Sequence, residues 1–298
     1  YGRILFDFRL PRALTALLAG AALGVSGLFM QTLFRNPLAG PSVLGLNAGA
    51  SLGVALVVLA VGANTGSLVF TGGLSLLARL GITTAAVAGS FMVLLLILFV
   101  SRRVDNMMTL LILGIMFGYA ANAVVSILMH FSVAERVQSY VSWSFGSFGG
   151  VSPRDLKVFL PVILFSLVSS TLFTKPLDAL LLGSVYAESM GLEVRRNRRI
   201  IIFFTALLSG TVTAYCGPVT FLGIAVPHLA RGIFRASEHR IILPATVFLG
   251  AAVALAADFL SHLPGTRMVL PLNAVTSLLG APVLIWVILK ERGLREDF

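Results

Sequence analysis

Residues 9–27 read RLPRALTALLAGAALGVSG: two arginines and a proline, then a run of alanine, leucine and glycine without a charge. Hydrocarbon offers a backbone no hydrogen-bond partner, so an apolar run of about 20 residues crosses a membrane as a helix. Part of the pattern returns. Residues 15–27 read TALLAGAALGVSG and residues 205–217 read TALLSGTVTAYCG, with Thr, Ala, Leu, Leu and two glycines at one constant offset.

The rest of the chain has the same character. Of its 298 residues, 57% are hydrophobic and 11% charged, whereas a soluble domain carries about a quarter charged residues. The composition therefore describes an all-α polytopic membrane protein, without the weak alternating segments of a membrane barrel. Cys216 stands alone, so it forms no internal disulfide and reads as a small packing residue. Tyr1 opens the chain without an initiator methionine or a basic stretch before an apolar one, so no cleavable signal is visible.

The net charge of +10 would suit a nucleic-acid partner only if it were clustered on one solvated face. Here the basic residues lie between apolar runs, so no nucleic acid is expected and the charges report orientation instead. Nine apolar segments stand near residues 13–33, 43–62, 81–100, 108–130, 158–174, 200–217, 219–234, 244–261 and 273–290. Alternating the loops puts fourteen of the 22 basic residues on one side, among them Arg35, Arg102, Arg103 and the cluster at residues 195–199. That side is expected to be cytoplasmic, with the C-terminus on it and Tyr1 outside. An external start calls for a preceding helix, giving about ten spanning helices in a complete subunit.

On this reading residues 1–298 form one transmembrane domain. The two copies of the repeat lie in crossings one and six, which run in opposite directions. That is an inverted-topology repeat, covering approximately residues 9–130 and 195–290, and transporters use it to rock two halves around a central pathway. Close helix packing would account for the glycines in any membrane bundle. It does not account for the shared Thr-Ala-Leu-Leu.

An ion-driven secondary carrier usually keeps an ionisable group inside the membrane. Of twelve acidic residues, only Asp258 lies well inside an apolar run, near its outer end. No phosphate-binding Gly-x-x-x-x-Gly-Lys-Ser/Thr loop occurs, so ATP would have to act through a partner. GVSG at 24–27 matches a short signature of intramembrane serine proteases, with His130, His228 and His262 as conceivable bases. Four residues from a helix rich in glycine and serine are a weak match, and Ser26 reads as a packing residue whose hydroxyl bonds its own helix.

Residues 175–199, KPLDALLLGSVYAESMGLEVRRNRR, are the longest segment between crossings on the basic side. They read as a short helix, a turn and a second short helix ending in arginines. Two readings stand open: an interfacial helix anchored by its basic end, or a docking element for a soluble partner.

At this point five motifs, in order from residue 9 to residue 286, resemble the permease subunits of type II ABC importers for iron-siderophores, haem and vitamin B12. They are RLPRALTALLAGAALGVSG, RNPLAGPSVLGLNAGA, LLLGSVYAESMGL, CGPVTFLGIAVPHLAR and LPLNAVTSLLGAPVLIW. The resemblance implies a multi-pass protein of the bacterial cytoplasmic (inner) membrane with no catalysis of its own. It also implies a second permease copy as homodimer partner, two ABC ATPase subunits that hold ATP and Mg, and an extracytoplasmic substrate-binding protein. Lipid is the remaining partner, and no catalytic residue, cofactor or metal site is expected in this chain.

Several roles follow from the resemblance. Position alone would suit Arg9 and Arg12 to snorkelling at the interface, whereas the resemblance has them dock the binding protein; Arg267, which shares their side but no matching motif, is a weaker third candidate. Leu181, Gly183, Ala187, Glu188 and Gly191 would form the element that couples to the ATPase. Asn122, Ser126 and His130 share one helix face by their spacing of four. They fit either a translocation path or interhelical hydrogen bonding. SYVSWSFGSFGG, residues 139–150, resembles an outer segment of the family, and its aromatics also suit a membrane interface. Asn273 stands where relatives commonly have glycine, so the start of the last helix is expected to differ locally.

Overall fold

A computed structural model describes residues 5–60, 76–104, 107–262 and 269–293. Among these the chain is helical, with no strand. The α-helices, in order, are α1 (Leu10–Phe34), α2 (Leu46–Ala55), α3 (Leu76–Val100), α4 (Met107–His130), α5 (Ala134–Ser144) and α6 (Pro153–Ser170). They continue with α7 (Thr174–Leu181), α8 (Ser184–Ser189), α9 (Val194–Cys216), α10 (Leu222–Phe234), α11 (His239–Ser261) and α12 (Leu272–Gly293).

Within the described residues, each of the nine apolar runs overlaps helical structure. Leu5–Phe34, Gly81–Val100, Met107–His130, Pro153–Leu181, Val194–Cys216 and His239–Ser261 are long and apolar enough to cross a membrane. Leu46–Leu59, Leu222–Phe234 and Leu272–Ile285 are shorter apolar helices. The protein is therefore a multi-pass membrane protein.

Polar junctions mark the two ends of the bundle. At one end Arg12 of α1 meets Asp258 of α11, and residues 145–148 and 269–272 gather around them. At the other end His239 of α11 meets Asp178 of α7, and Gln31 of α1 meets Arg231 of α10. These are termed the Arg12 end and the loop end.

The bundle is centred on α1, which is buried nearly all round from Ala19 to Leu33. It packs against α11, α9 and α10, while α9 packs in turn against α3 and α2. Likewise α2 packs on α3 and α4, as α10 does on α11 and α12. The copies of the sequence repeat, α1 and α9, thus occupy corresponding places and run in opposite directions. Each threonine that opens a copy turns its hydroxyl back on its own helix, Thr15 to the Pro11 carbonyl (2.7 Å) and Thr205 to that of Ile201 (2.8 Å).

Lipid tails are as apolar as leucine, so close backbone approach holds such helices together. A Cβ added at Gly20 would lie 2.1 Å from the Gly250 carbonyl oxygen, and one at Gly27 would lie 1.6 Å from that of Gly223. Glycine at these positions lets α1 touch the backbones of α11 and α10.

Candidate functional site

The Arg12 end is organised by one ion pair. Arg12 Nε donates to both Asp258 oxygens (3.1 and 2.9 Å), and Nη2 donates to Oδ1 (2.8 Å). His262 Nδ1 also meets Arg12 Nη2 and lies 2.8 Å from the Ser261 hydroxyl. The side chains of Arg12 and Asp258 are 25% and 15% exposed, so a fork-on-fork pair joins α1 to α11 at a half-buried site. Arg9, three residues earlier, is exposed. Arg267 lies outside the described residues.

At the loop end, α7 and α8 form a helix–turn–helix. Gly183 makes the turn with φ +112°, a conformation that side chains with a Cβ rarely adopt, and it sits against the Arg35 guanidinium. Gly191 closes α8 at φ +82°. Ala187 is fully buried, Gly183 buried and Leu181 half-buried, so these three shape the loop from inside, while Glu188 and Gly191 face outward. The outer surface is made mainly by residues outside that predicted coupling set: Leu182 (62% exposed), Val185 (82%), Tyr186 (52%) and Met190 (63%). Four large apolar side chains on the tip of a loop form a knuckle.

Asn122, Ser126 and His130 are all exposed on α4, where Tyr119 joins them. Ser126 donates to the Asn122 carbonyl (2.9 Å), which satisfies its hydroxyl within the helix. Beside this face a groove of about 430 Å³ runs between α4 and the start of α2, lined by Asn47, Ser51, Tyr119 and Asn122 among others. Asn47 is held by the Thr213 hydroxyl of α9 (2.9 Å). The helix on the far side of the groove, α2, belongs to one of the shorter apolar segments, as α10 does. A larger cavity of about 560 Å³ lies near the Arg12 end and includes Gln138, Trp143, Asp155 and Tyr215 in its lining.

Two further polar junctions join distant segments. Asn273 Nδ2 donates to the Ser144 and Pro218 carbonyls (2.9 and 2.7 Å), while its Oδ1 accepts from Thr220 N (3.1 Å). The asparagine at the start of α12 thus ties the ends of α5 and α9 together, which glycine would not do. Gln31 of α1 donates to the Ile224 carbonyl (3.1 Å), meets His228 Nδ1 (3.3 Å) and accepts from Arg231 Nη1 (2.6 Å). His228 is accordingly part of the junction between α1 and α10. Ser26 donates to the Leu23 carbonyl of its own helix (2.9 Å) and is fully buried, which is the packing arrangement and not that of a nucleophile.

The profile of the FecCD transport family matches residues 1–290. The vitamin B12 import system permease protein BtuC of Klebsiella pneumoniae is 34% identical over 292 residues, covering 97% of this chain and 83% of that protein. BtuC of Escherichia coli O9:H4 is 33% identical over 290 residues, covering 96% and 84%. Among solved structures, a metal-chelate type ABC transporter in an inward-facing conformation superposes with a TM-score of 0.86 at 28% identity, covering 97% of this chain and 88% of that one. PsaBC from Streptococcus pneumoniae, solved in complex with a Fab, gives a TM-score of 0.62 at 18% identity, covering 95% and 92%, a likeness of fold.

Proposed function

The chain belongs to the FecCD transport family, and from that premise we propose a complete assembly in which it works as a homodimer with two ABC ATPases and an extracytoplasmic binding protein. It is the membrane-spanning permease subunit of an ATP-driven importer. The chemistry of ATP belongs to a separate subunit, where ATP and Mg would bind. The cargo we assign is cobalamin or a metal chelate of similar bulk and polarity, following the vitamin B12 permeases and the metal-chelate transporter it resembles.

The single observation that carries this assembly is the apolar knuckle of Leu182, Val185, Tyr186 and Met190 at the loop end. A folded loop whose turn is fixed by Gly183, and whose tip is apolar, needs a partner surface to cover it. It lies on the side that the arginines of residues 195–199 make cytoplasmic, where an ATPase would meet it and the C-terminus would lie. At the opposite face Arg9 is free to meet acidic residues of a binding protein, while Arg12, engaged by Asp258, would hold the start of α1 beneath it. The groove beside Asn122, with Ser126 and His130 further along α4, would form one wall of the path between two copies. Rocking of the two inverted halves would open it alternately.

An ion-driven carrier is the weaker reading, because the one carboxylate inside an apolar run is already neutralised by Arg12. The deciding experiment purifies the tagged protein from its native membrane and reconstitutes what co-purifies in vesicles. An ATPase at equal stoichiometry, with cobalamin or ferrichrome uptake only when ATP is enclosed with it, is the expected result. Uptake driven by an ion gradient in vesicles without ATP would overturn the assignment.

A further inference from the structure

Helices α1 and α11 are joined at three heights. At the Arg12 end the fork of Arg12 on Asp258 joins them, and midway Gly20 and Gly250 bring their backbones into contact. At the loop end His239 of α11 meets Thr32 of α1 directly and a third element, α7, joins the same junction. Asp178 of α7 accepts at Oδ1 from both the backbone N (2.9 Å) and Nδ1 (2.6 Å) of His239, the first residue of α11. His239 Nε2 lies 2.8 Å from the hydroxyl of Thr32 on α1, which is itself 2.9 Å from the Leu28 carbonyl.

This junction is more than a helix cap. The residue before α11, Glu238, makes no side-chain capping bond. An N-terminal N–H that a local serine or aspartate would ordinarily satisfy is instead satisfied from α7. The favourable meeting of a carboxylate with a helix N-terminus therefore belongs to the docking loop. The imidazole that carries the connection onward is 1% exposed, Thr32 is fully buried, and the Asp178 side chain is 36% exposed. With Nδ1 donating to a carboxylate, the link is charge-assisted whichever way the Thr32 hydroxyl turns. Moving α7 without moving α11 would break both bonds to Asp178, and moving α11 without α1 would break the bond to Thr32.

Resting on the reading that the knuckle docks an ATPase, we propose that Asp178 and His239 are positioning residues for transport. They lock the docking loop to α11 and α1, so that this pair forms a strut carrying the ATPase's movement to the face that meets the binding protein. Leu177 and Leu180, both buried, seat α7 on the bundle beside the lock. The strut spans the membrane as one body because its far end is clamped by Arg12 and Asp258.

The test uses the complete transporter in proteoliposomes, measuring ATP hydrolysis with and without the binding protein. Asp178→Ala and His239→Gln should leave the ATPase bound at wild-type stoichiometry and basal hydrolysis within about twofold. The response of hydrolysis to the binding protein should fall about tenfold, the scale of one lost charge-assisted bond. Asp178→Glu should recover part of that response. A merely structural role would reduce the yield of complex while leaving the response of each complex intact, and that result overturns the proposal. Hydrogen exchange on the permease alone tests the lock independently of any partner. Asp178→Ala should speed exchange in residues 174–191 about tenfold, and unchanged protection there would refute the lock. Absence of an ATPase from the wild-type complex would instead refute the docking reading, with the exchange result still deciding the lock.

Discussion

Gly27 has no room for a side chain, since a Cβ there would come within 1.6 Å of a carbonyl oxygen on α10 and something must shift. Gly232, by contrast, has no neighbouring atom within 4 Å. Overpacking typically costs about 1–3 kcal/mol, and a clash with backbone sits at or above the top of that range. Gly27→Ala should therefore lower the melting temperature in mild detergent by several degrees. Gly232→Ala should leave it unchanged or raise it, since alanine gains about 1 kcal/mol over glycine in a helix. Equal melting of the two variants would contradict the close approach of α1 and α10. The glycines themselves were legible as part of the repeat, but the backbones they admit were not, because Gly223 and Gly250 lie far along the chain. The same holds for Asp258: its place inside an apolar run was visible, and its pairing with Arg12 required the fold. Arg12 was readable as a basic residue at a helix entrance, a position equally suited to a partner protein and to a neighbouring helix. Asn273 was marked as a departure from glycine, yet its bonds to Ser144, Pro218 and Thr220 join three segments that only the fold brings together.

Among the elements, the long helices were legible in full because each carries about 20 apolar residues with no competing pattern. The loop of α7 and α8 was legible in outline but not in orientation. α8 has six residues, less than two turns, too few for a hydrophobic period to reveal which side faces in. The resemblance drew weight onto Leu181, Gly183 and Ala187, the residues that shape the loop, and passed over Leu182 and Val185, which cover its outside. Because those two are 62% and 82% exposed, charging them should disturb a partner surface and not the fold. Leu182→Glu combined with Val185→Glu should reduce co-purifying ATPase at least about tenfold, since apolar anchors dominate such contacts. The variant's own melting temperature should stay within a degree or two of wild type. Full retention of the ATPase would remove the knuckle from the interface.

Across the whole molecule, the outer faces of the helices are of two kinds. α6 exposes Val158, Leu164, Phe165 and Val168, and α3 exposes Val87, Phe91, Leu95 and Phe99, all suited to lipid. α4 instead exposes Tyr119, Asn122, Ser126 and His130 along with Ile112 and Met116. A face with an amide and an imidazole is costly against hydrocarbon, and such residues normally turn toward protein or a water-filled path. One copy of the chain leaves that face open; in the homodimer proposed above, a second copy related by a two-fold axis would cover it, placing α4 of each copy near α4 of the other. Cys216 is the only cysteine and is buried, so introduced cysteines report alone. Ser126→Cys should give a covalent dimer in native membranes with a short bifunctional thiol reagent, whereas Phe165→Cys on the lipid face of α6 should remain monomeric. Dimers from both would indicate random collision. A monomer from Ser126→Cys under conditions that label it fully would place α4 away from the dimer axis and leave its polar face to some other protein.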